Sequence, residues 1–306
     1  MTTLNRVLIA ANPKSGAGPS GQKVAELNAS LQERGFQSQL LYSLAEVQQQ
    51  SMEALATGQL RAVVAAGGDG TVGALANLLP HNTPMLVFPL GTENLLAKHI
   101  GMTDHIGQAC DAIVANRRFD MDLGCANGRY FLVMLSIGFD AQVVREMSAL
   151  RTGHISRWSY TKPIITSLFK YSFPQLPYVI DGNDSELASA AWIFVFNVPR
   201  YAASLNFCPQ ANPCDGKLDV CTFTKSGIAW GVGYLSRLRF GLHQSMRGFR
   251  HSLATELAVR CPTIQRVASP ISVPYQIDGD PGGELPLKVE VLRNKLTLLQ
   301  PPGVGP

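Results

Sequence analysis

Charged residues are scarce in this chain of 306 residues, since Asp, Glu, Lys and Arg together make up 16% of it, against about 25% in ordinary soluble domains. The 26 basic and 22 acidic residues leave a formal net charge of +4, which is too small an excess to indicate nucleic-acid binding. A hydrophobic content of 46% excludes a disordered chain. The length predicts about two domains.

Long apolar runs and metal-type cysteine patterns are also missing. No stretch reaches the ~18 apolar residues that a membrane span requires, and the run Val7–Ala11 is too short for a secretion signal. The six cysteines form no CxxC pair and have no histidine at zinc-like spacing. We therefore expect reduced cysteines and a cytoplasmic protein without a transmembrane segment.

The first 120 residues alternate short apolar runs with helical patterns. Strands are predicted at Val7–Ala11, Gln37–Tyr42, Arg61–Ala66 and Met85–Pro89. The uniformly apolar character of Arg61–Ala66 is expected for a parallel strand that is covered on both faces. This alternation predicts an α/β domain with a parallel sheet over residues 1–120.

Beyond residue 120 the pattern changes to short strands separated by turn residues. Asn127-Gly128, between Asp120–Ala126 and Arg129–Ile137, predicts a β-hairpin. Further strands are predicted at Ala191–Val198, Leu218–Thr224, Ala258–Arg260, Ser272–Ile277, Leu287–Leu292 and Lys295–Leu299. We therefore predict a second, β-rich sandwich domain over residues 121–306, whose last strand returns to the first domain.

The segment Gly16–Gly21 satisfies the GxGxxG pattern after a strand and before a helix, which is typical of dinucleotide sites. Two features weaken this interpretation. The residues Ala11 to Ser15 separate the strand from the first glycine, and Gln37–Ser43 lacks the carboxylate expected at the end of the second strand. A dinucleotide-dependent oxidoreductase is therefore the weaker alternative.

The loop Gly67-Gly68-Asp69-Gly70-Thr71 lies between a buried strand and a helix. Its glycines allow a concave arrangement of backbone N–H groups, which binds phosphate at a helix N-terminus. The alternative is a Gly-Asp-Gly turn in which Asp69 caps the helix. A second polar loop, Pro89–Asn94, follows the next strand, and open α/β sheets bind ligands where such loops converge.

Three segments resemble, in order and spacing, the loops of the diacylglycerol/sphingosine lipid-kinase family: Asn12–Gly16, Gly67–Thr71 and Pro89-Leu90-Gly91-Thr92-x-Asn94. The likeness continues at Asp122-Leu123-Gly124, Ser136–Ala141, Asp215–Asp219 and Asp278-Gly279-Asp280. The resemblance implies an NAD-kinase-like, parallel-sheet nucleotide-binding domain followed by a β-sandwich domain that carries the acceptor site. NAD kinase proper is disfavoured, because its NxGxLGFL signature has no match here.

The resemblance also implies roles for individual residues. The ATP-binding residues would be Asn12, Ser15, Gly67, Gly68, Asp69, Gly70, Thr71, Val72, Gly91, Thr92 and Asn94. Asp69 and Asp122 would belong to an acidic network that holds the catalytic Mg²⁺ through water, which suits the reluctance of this ion to lose its hydration shell.

Two further roles are implied in the second domain. Asp280 would be the base that accepts the proton of the lipid hydroxyl, with Asp278 as the second choice. A structural Mg²⁺ site would be formed by Asp215, Leu218, Asp219 and Val220. A capped β-turn remains an equal alternative for that last segment.

The chain differs from the family pattern at position 95, and this difference affects which lipid is expected as the substrate. Diacylglycerol kinases have an Asp where this chain has Leu95, whereas the sphingosine-kinase branch also lacks it. The implied function is therefore an ATP- and Mg²⁺-dependent kinase that phosphorylates diacylglycerol, a sphingoid base or a related lipid. The alternative is a non-catalytic member of the family that binds a nucleotide or a lipid.

The implied partners are a lipid substrate at the inner membrane face and a second copy of the chain in a homodimer, without nucleic acid. The segments Arg145–Tyr171 and Ser226–His243 combine basic and aromatic residues. This composition suits an anionic membrane interface. The alternative is that both are amphipathic helices that pack their aromatic residues inward.

Overall fold

The computed structural model describes residues 4–11, 19–149, 171–183, 185, 187–201, 205–262, 272–301 and 303. The chain forms two compact units: a first unit of Met1–Leu123 with Leu292–Pro306, and a second unit of Gly124–Val291. Among the described residues, no helix combines the length and the apolar character that a membrane crossing requires.

The first unit is a parallel sheet with helices between its strands. Its elements are β1 (Arg6–Ala11), α1 (Pro19–Glu33), β2 (Gln37–Leu41), α2 (Leu44–Ala56), β3 (Leu60–Gly67), α3 (Asp69–Leu78), β4 (Met85–Pro89), α4 (Leu95–His99), α5 (Ile106–Ala115) and β5 (Arg118–Ala126), which ends in the second unit. The strands pair in the order β2-β1-β3-β4, all parallel. The predicted α/β class is confirmed. Each predicted strand here lies within one residue of the observed bounds.

The second unit contains the remaining elements. They are β6 (Arg129–Phe131), β7 (Met134–Ile137), α6 (Phe139–Ala149), β8 (Leu176–Ile180), β9 (Ala188–Ala190), β10 (Trp192–Phe196), β11 (Arg200–Tyr201), β12 (Leu205–Asn206), β13 (Leu218–Phe223), α7 (Ile228–Leu238), β14 (Phe249–Ala254), β15 (Glu256–Val259), β16 (Pro274–Ile277), β17 (Asp280–Glu284) and β18 (Leu287–Leu299), which ends in the first unit.

Two antiparallel sheets form the sandwich of the second unit, and β11 pairs with β12 in a separate two-stranded sheet. One has the strand order β14-β13-β10-β7-β16-β17, and the other joins the start of β18 to β15, β8 and β9. Buried side chains from both sheets share one core, among them Leu135, Ile193, Val220, Tyr178, Leu257 and Val289. The predicted sandwich is therefore confirmed.

The hairpin predicted at Asn127-Gly128 joins β5 to β6. Asn127 and Gly128 have φ angles of 47° and 87°, and positive φ at both central residues is what a type I′ turn requires. The asparagine and glycine therefore provide a turn whose twist matches that of the flanking strands.

The predicted strand Arg129–Ile137 is wrong as a single element, because it divides into β6 and β7. The carboxylate of Asp278 accepts hydrogen bonds from the backbone N–H groups of Leu132, Val133 and Met134 at 2.8, 2.9 and 2.9 Å. An N–H group that donates to a carboxylate is withdrawn from strand pairing. Asp278 thus fixes the bend between the two strands.

The two strands predicted at Leu287–Leu292 and Lys295–Leu299 are instead one strand, β18. Asn294 adopts a φ of 51° within it, and its backbone N–H donates to Asp122 Oδ1 at 2.8 Å. The side-chain acceptor replaces the usual strand partner at this position. The strand therefore continues through a residue that the sequence pattern assigns to a turn.

Replacing Asp278 by Ala is expected to lower the free energy of unfolding by about 3 kcal/mol or more, because three N–H groups lose a charged acceptor. Urea unfolding followed by tryptophan fluorescence measures this change. Glu284→Ala is the control: Glu284 is exposed and pairs only at the surface with Arg145, so its loss should cost less than about 1 kcal/mol. Equal losses in both variants would contradict the anchoring role of Asp278.

Candidate active site

The carboxyl ends of β3 and β4 lie side by side in the first unit. Gly67 pairs with Pro89 in the parallel ladder, and the N–H of Leu90 donates to the carbonyl of Gly67 at 3.0 Å. A Cβ atom built on Gly91 would lie 2.6 Å from the Cα atom of Gly68. The two loops therefore touch backbone to backbone, and a side chain at Gly91 would force them apart.

Asn94 closes the second of these loops. Its side-chain amide donates to the carbonyl of Gly91 at 2.8 Å, and its Oδ1 accepts from the N–H of Gly91 at 3.1 Å. The residue has a left-handed backbone with φ 48° and precedes α4, a conformation that asparagine tolerates well. Asn94 thus positions Gly91.

Asp69, the first residue of α3, reaches across to the start of α4. Its carboxylate accepts hydrogen bonds from the N–H groups of Leu95 at 2.8 Å and Leu96 at 3.1 Å. Burial raises the pKa of Asp69, and these two backbone hydrogen bonds oppose the shift. Asp69 therefore caps a neighbouring helix, because the first N–H groups of a helix have no acceptor within it.

The contact between Asp69 and Leu95 shows what the replacement of the family's Asp by Leu95 changes in the structure. The interaction with Asp69 uses the backbone N–H of Leu95, which any residue except proline would offer. The replacement of the family's Asp by Leu therefore leaves the link between α3 and α4 in place. The sequence does not reveal the contact, because its partners are 26 residues apart.

Gly70 is exposed at the N-terminal end of α3. Apart from its chain neighbours and the backbone of its own helix, no atom of the described residues lies within 4 Å of a Cβ built there, and its φ is not positive. Neither packing nor backbone conformation thus requires glycine at this position. Its missing side chain keeps space open at a helix N-terminus, where the helix dipole favours anions.

The other predicted phosphate-binding residues of this loop also have intramolecular roles. The N–H groups of Thr71 and Val72 donate to the carbonyl of Gly68 at 2.9 and 3.3 Å. The Thr71 side chain lies over Gly67, where an added Cβ would meet Thr71 Oγ1 at 2.2 Å. The first turn of α3 is therefore held by its own residues.

A cavity of about 350 Å³ adjoins the β4–α4 loop, and its lining includes Ser20, Lys23, Gly91, Asn94 and Lys98. Lys23 pairs with Asp104 and holds the pKa of that carboxyl group below its usual range. The segment 12–18, which precedes α1 and contains the predicted ligands Asn12 and Ser15, lies outside the described residues. Thr92, a third predicted ligand, is exposed.

The predicted magnesium network in the first unit consists of Asp69 and Asp122. Asp122 is buried in β5 and accepts the N–H of Asn294. Since a carboxylate offers about four acceptor positions, Asp69 can also accept a hydrogen bond from a metal-bound water. Oxygen donors of this type fit Mg²⁺.

Asp278 and Asp280 differ in their surroundings in the second unit. Asp278 is held by the three N–H groups at the β6–β7 bend. Asp280 begins β17 opposite Ile277 and is partly exposed. The N–H of Gly279, between them, donates to Gln276 Oε1 at 2.8 Å. The turn is therefore fixed by Asp278 and Gln276, with the Asp280 carboxylate at its end.

A buried polar network that sequence reasoning missed supports Gln276. Ser136 Oγ donates to Asp140 Oδ2 at 2.5 Å, Gln276 Nε2 donates to Ser136 Oγ at 3.0 Å, and the Tyr201 hydroxyl donates to Asp140. Burial raises the pKa of Asp140. The segment Ser136–Ala141 is conspicuous in the sequence, but its partners Tyr201 and Gln276 come from distant strands.

Asp215 and Asp219, two of the residues predicted to form a structural magnesium site, have different hydrogen-bond partners. Asp215 Oδ1 accepts the N–H of Lys217 at 2.9 Å in a tight turn. Asp219 instead meets His251 Nε2 at 2.6 Å and lies near the thiol of Cys208. Leu218 and Val220 have apolar side chains, so each could offer Mg²⁺ only a backbone carbonyl oxygen. The structural magnesium site stays a prediction.

The predicted membrane-interface segments are only partly described. Residues 150–170 of Arg145–Tyr171 lie outside the described residues. In Ser226–His243, Tyr234 and Leu238 are buried, and Tyr234 packs on Trp192 and Phe223. Five other large apolar side chains described in this region are exposed, and we call this set the apolar face: Ile228, Trp230, Val232, Phe240 and Leu242.

Comparisons with known proteins agree with this architecture. Residues 6–126 match the family described as diacylglycerol kinase catalytic domain, and residues 133–300 match the YegS C-terminal NAD kinase beta sandwich-like domain. The chain is 26% identical over 306 residues to a diacylglycerol kinase of Mycobacterium tuberculosis, covering 97% of this chain and 96% of the relative.

Solved structures share the fold at lower identity. A diacylglycerol kinase from Bacillus anthracis covers 100% of both chains with a TM-score of 0.67 and 18% identity. An NAD kinase from Archaeoglobus fulgidus in complex with ATP aligns with a TM-score of 0.54 at 11% identity, over 97% of this chain and 94% of that chain. Together with the two family matches, the fold and the relatives show that the chain belongs to the diacylglycerol kinase family and is a lipid kinase.

Proposed function

We propose that this kinase transfers the γ-phosphate of ATP to a hydroxyl group of a membrane lipid. The main support for this proposal is the contact between Gly68 and Gly91. This contact joins the loops after β3 and β4 beside the open N-terminus of α3 at Gly70. Backbone N–H groups at such a terminus suit a phosphate chain. The ATP in the Archaeoglobus fulgidus NAD kinase structure supports the choice of donor.

In this proposal the first unit binds the nucleotide. Gly67, Gly68 and Gly70 let the phosphates approach the backbone, and Gly91, Thr92 and Asn94 form the neighbouring wall. Asn12 and Ser15, which lie outside the described residues, are further nucleotide ligands in this proposal. Asp69 and Asp122 would hold Mg²⁺ through water. When bound, Mg²⁺ neutralises charge that develops on the phosphate oxygens.

The second unit supplies the base. Phosphoryl transfer needs little covalent assistance, so the protein acts chiefly by positioning the acceptor and neutralising charge. Asp280 accepts the proton of the lipid hydroxyl as the hydroxyl oxygen bonds to the γ-phosphorus, while the bond from that phosphorus to the β–γ bridging oxygen breaks and ADP leaves. We assign this role to Asp280 over Asp278, since three N–H groups already occupy the carboxylate of Asp278.

The acceptor is a lipid alcohol of the diacylglycerol or sphingoid type. The names of the relatives favour diacylglycerol, whereas Leu95 at the position of the family's Asp favours a different acceptor. Both compounds present a primary hydroxyl at the membrane surface, so the chemistry at Asp280 is the same for each. A comparison of the two lipids in one assay decides between them.

The enzyme must reach its substrate at the bilayer surface, and we assign this contact to the apolar face. Phe240 is 74% exposed and Leu242 is 56% exposed. Arg237 and Arg239 lie close to them in sequence. Exposed aromatic and aliphatic side chains beside basic residues suit a bilayer that contains anionic lipids.

Replacing Gly70 by Ala tests the nucleotide site. We expect ATP to bind about tenfold more weakly, the effect of losing one hydrogen bond to a charged group. The free energy of unfolding should stay the same or rise by up to about 1 kcal/mol, since alanine favours a helix. Titration calorimetry with ATP and urea unfolding measure the two effects separately.

Gly91→Ala is the matched comparison for Gly70→Ala. Its new Cβ would meet the backbone of Gly68, so both stability and ATP affinity should fall. Unchanged ATP affinity in Gly70→Ala would contradict the phosphate site at α3.

Replacing Asp280 by Asn tests the base. The rate of lipid phosphorylation should fall by roughly 10²- to 10⁴-fold, the usual contribution of a general base, while ATP affinity stays unchanged. Transfer of label from [γ-³²P]ATP to lipid measures the rate. Glu284→Gln, in the same strand β17, is the control and should retain activity. Full activity in Asp280→Asn would refute the assignment.

Replacing both Phe240 and Leu242 by Ser tests the apolar face. Burial of one large apolar side chain contributes about 1.5–3 kcal/mol, so binding to vesicles containing anionic lipid should weaken by at least about tenfold. Co-sedimentation with the vesicles measures it. The control is Leu44→Ser with Met52→Ser, because these α2 side chains are 48% and 54% exposed. Equal weakening in both double variants would exclude a specific membrane contact.

A further inference from the structure

Three side chains of the second unit that can ligate a metal lie together: Cys208, Asp219 and His251. One ligand atom from each, the Sγ atom, a carboxylate oxygen and a ring nitrogen, lie within 4.8 Å of one another. Asp219 and His251 are in direct contact at 2.6 Å. Their chemistry is a mixture of sulfur, oxygen and nitrogen donors.

Strand register places these groups on one face of the sheet. In the antiparallel pair β13–β14, His251 lies opposite Cys221. Asp219 precedes Cys221 by two residues and therefore faces the same side. Cys208 lies before β13 in the chain, with its sulfur 3.8 Å from that of Cys221. The backbone of two paired strands thus fixes the positions of the donors from β13 and β14.

The surroundings protect the cluster and leave one side open. Cys208 and Asp219 are buried, and the His251 side chain is 26% exposed. Phe207 packs against Phe194, Phe196 and Phe223 beside Cys208. A cation can therefore enter past His251 and reach donors that are shielded from bulk water.

The donor set suits zinc. Zinc binds cysteine sulfur at about 2.3 Å and histidine nitrogen or carboxylate oxygen at about 2.0–2.2 Å, in a tetrahedral arrangement. Tetrahedral ligands at those distances are roughly 3.3–3.8 Å apart. The contact between Asp219 and His251, at 2.6 Å, must open by less than about 1 Å to accept the ion.

We propose that Cys208, Asp219 and His251 form a Zn²⁺ site that joins the Cys208 segment to the β13–β14 pair. On binding, the Cys208 thiol releases its proton to water, and His251 presents a ring nitrogen lone pair with its remaining proton on the other nitrogen. A water molecule on the open side of His251 completes the tetrahedron. No oxidation or reduction is involved.

The site is separate from the proposed chemistry of phosphate transfer. None of its three residues has a role in that proposal, and the magnesium invoked there requires oxygen donors. The sequence does not reveal the site, because Cys208 and Asp219 are 11 positions apart in the chain and Asp219 and His251 are 32 positions apart.

Metal binding by the purified full-length protein tests the proposal. After removal of metals with a chelator, equilibrium dialysis against Zn²⁺ should leave one tightly bound ion per chain. Co²⁺ as a probe should produce a thiolate-to-cobalt charge-transfer band in the near ultraviolet, because cysteine is a ligand. A millimolar excess of Mg²⁺ should not displace the zinc.

Two variants should remove the site and one should preserve it. Cys208→Ser and His251→Gln should weaken zinc binding by at least roughly 10-fold, the loss that changes around a metal site commonly cause. Cys214→Ser removes an exposed thiol that is not part of the cluster and should bind zinc as the unchanged protein does. His251 is partly exposed, so His251→Gln keeps the test valid if Cys208→Ser fails to fold.

A thermal-unfolding midpoint that rises with Zn²⁺ in the unchanged protein but not in His251→Gln would support the site, since a ligand that binds only the folded state stabilises it. Three results would overturn the proposal: no retained zinc, a cobalt spectrum without the charge-transfer band, or equal zinc affinity in the unchanged protein and His251→Gln. Displacement of the zinc by Mg²⁺ would also overturn it.

Discussion

The loops that follow β3 and β4 touch backbone to backbone, and this contact depends on the missing side chain of Gly91. Gly91 would meet the Cα atom of Gly68 at 2.6 Å with any added Cβ. Asn94 then holds Gly91 through two hydrogen bonds, and Asp69 holds the start of α4. The close approach of two backbones therefore determines where the neighbouring helices begin and which surface is left open for phosphate.

Elsewhere in the described residues, two aspartates hold irregular points of the backbone by accepting hydrogen bonds from N–H groups. Asp278 fixes the bend between β6 and β7, and Asp122 accepts the N–H of Asn294 in β18. A carboxylate can accept several N–H groups at once, which satisfies donors at irregular points of a strand or a helix. Aspartates that look alike as candidate catalytic acids in the sequence therefore have different surroundings: Asp122 and Asp278 accept backbone N–H groups, whereas Asp280 lies partly exposed at the end of a turn.

The sequence predicts the fold well where the signal is local. The uniformly apolar strand at Arg61–Ala66 and the turn at Asn127-Gly128 are set by burial on both faces and by positive φ. The contacts that orient the site involve partners far apart in the chain: Asp69 with Leu95, and Gln276 with Ser136. Strand register determines these contacts, and the register cannot be predicted from the amino-acid composition. For the same reason, the spacing of Cys208, Asp219 and His251 in the sequence shows no metal-binding pattern.

The proposal that this protein transfers the γ-phosphate of ATP to a lipid hydroxyl is tested by a labelling assay. The assay measures transfer of label from [γ-³²P]ATP to lipid in vesicles that contain diacylglycerol or a sphingoid base. With Mg²⁺ present, the unchanged protein should convert one of the two lipids into a labelled phosphomonoester. This product is recovered in the organic phase. Tight binding of ATP without labelled lipid, for either acceptor, would contradict the account and indicate a family member that binds nucleotide without catalysing transfer.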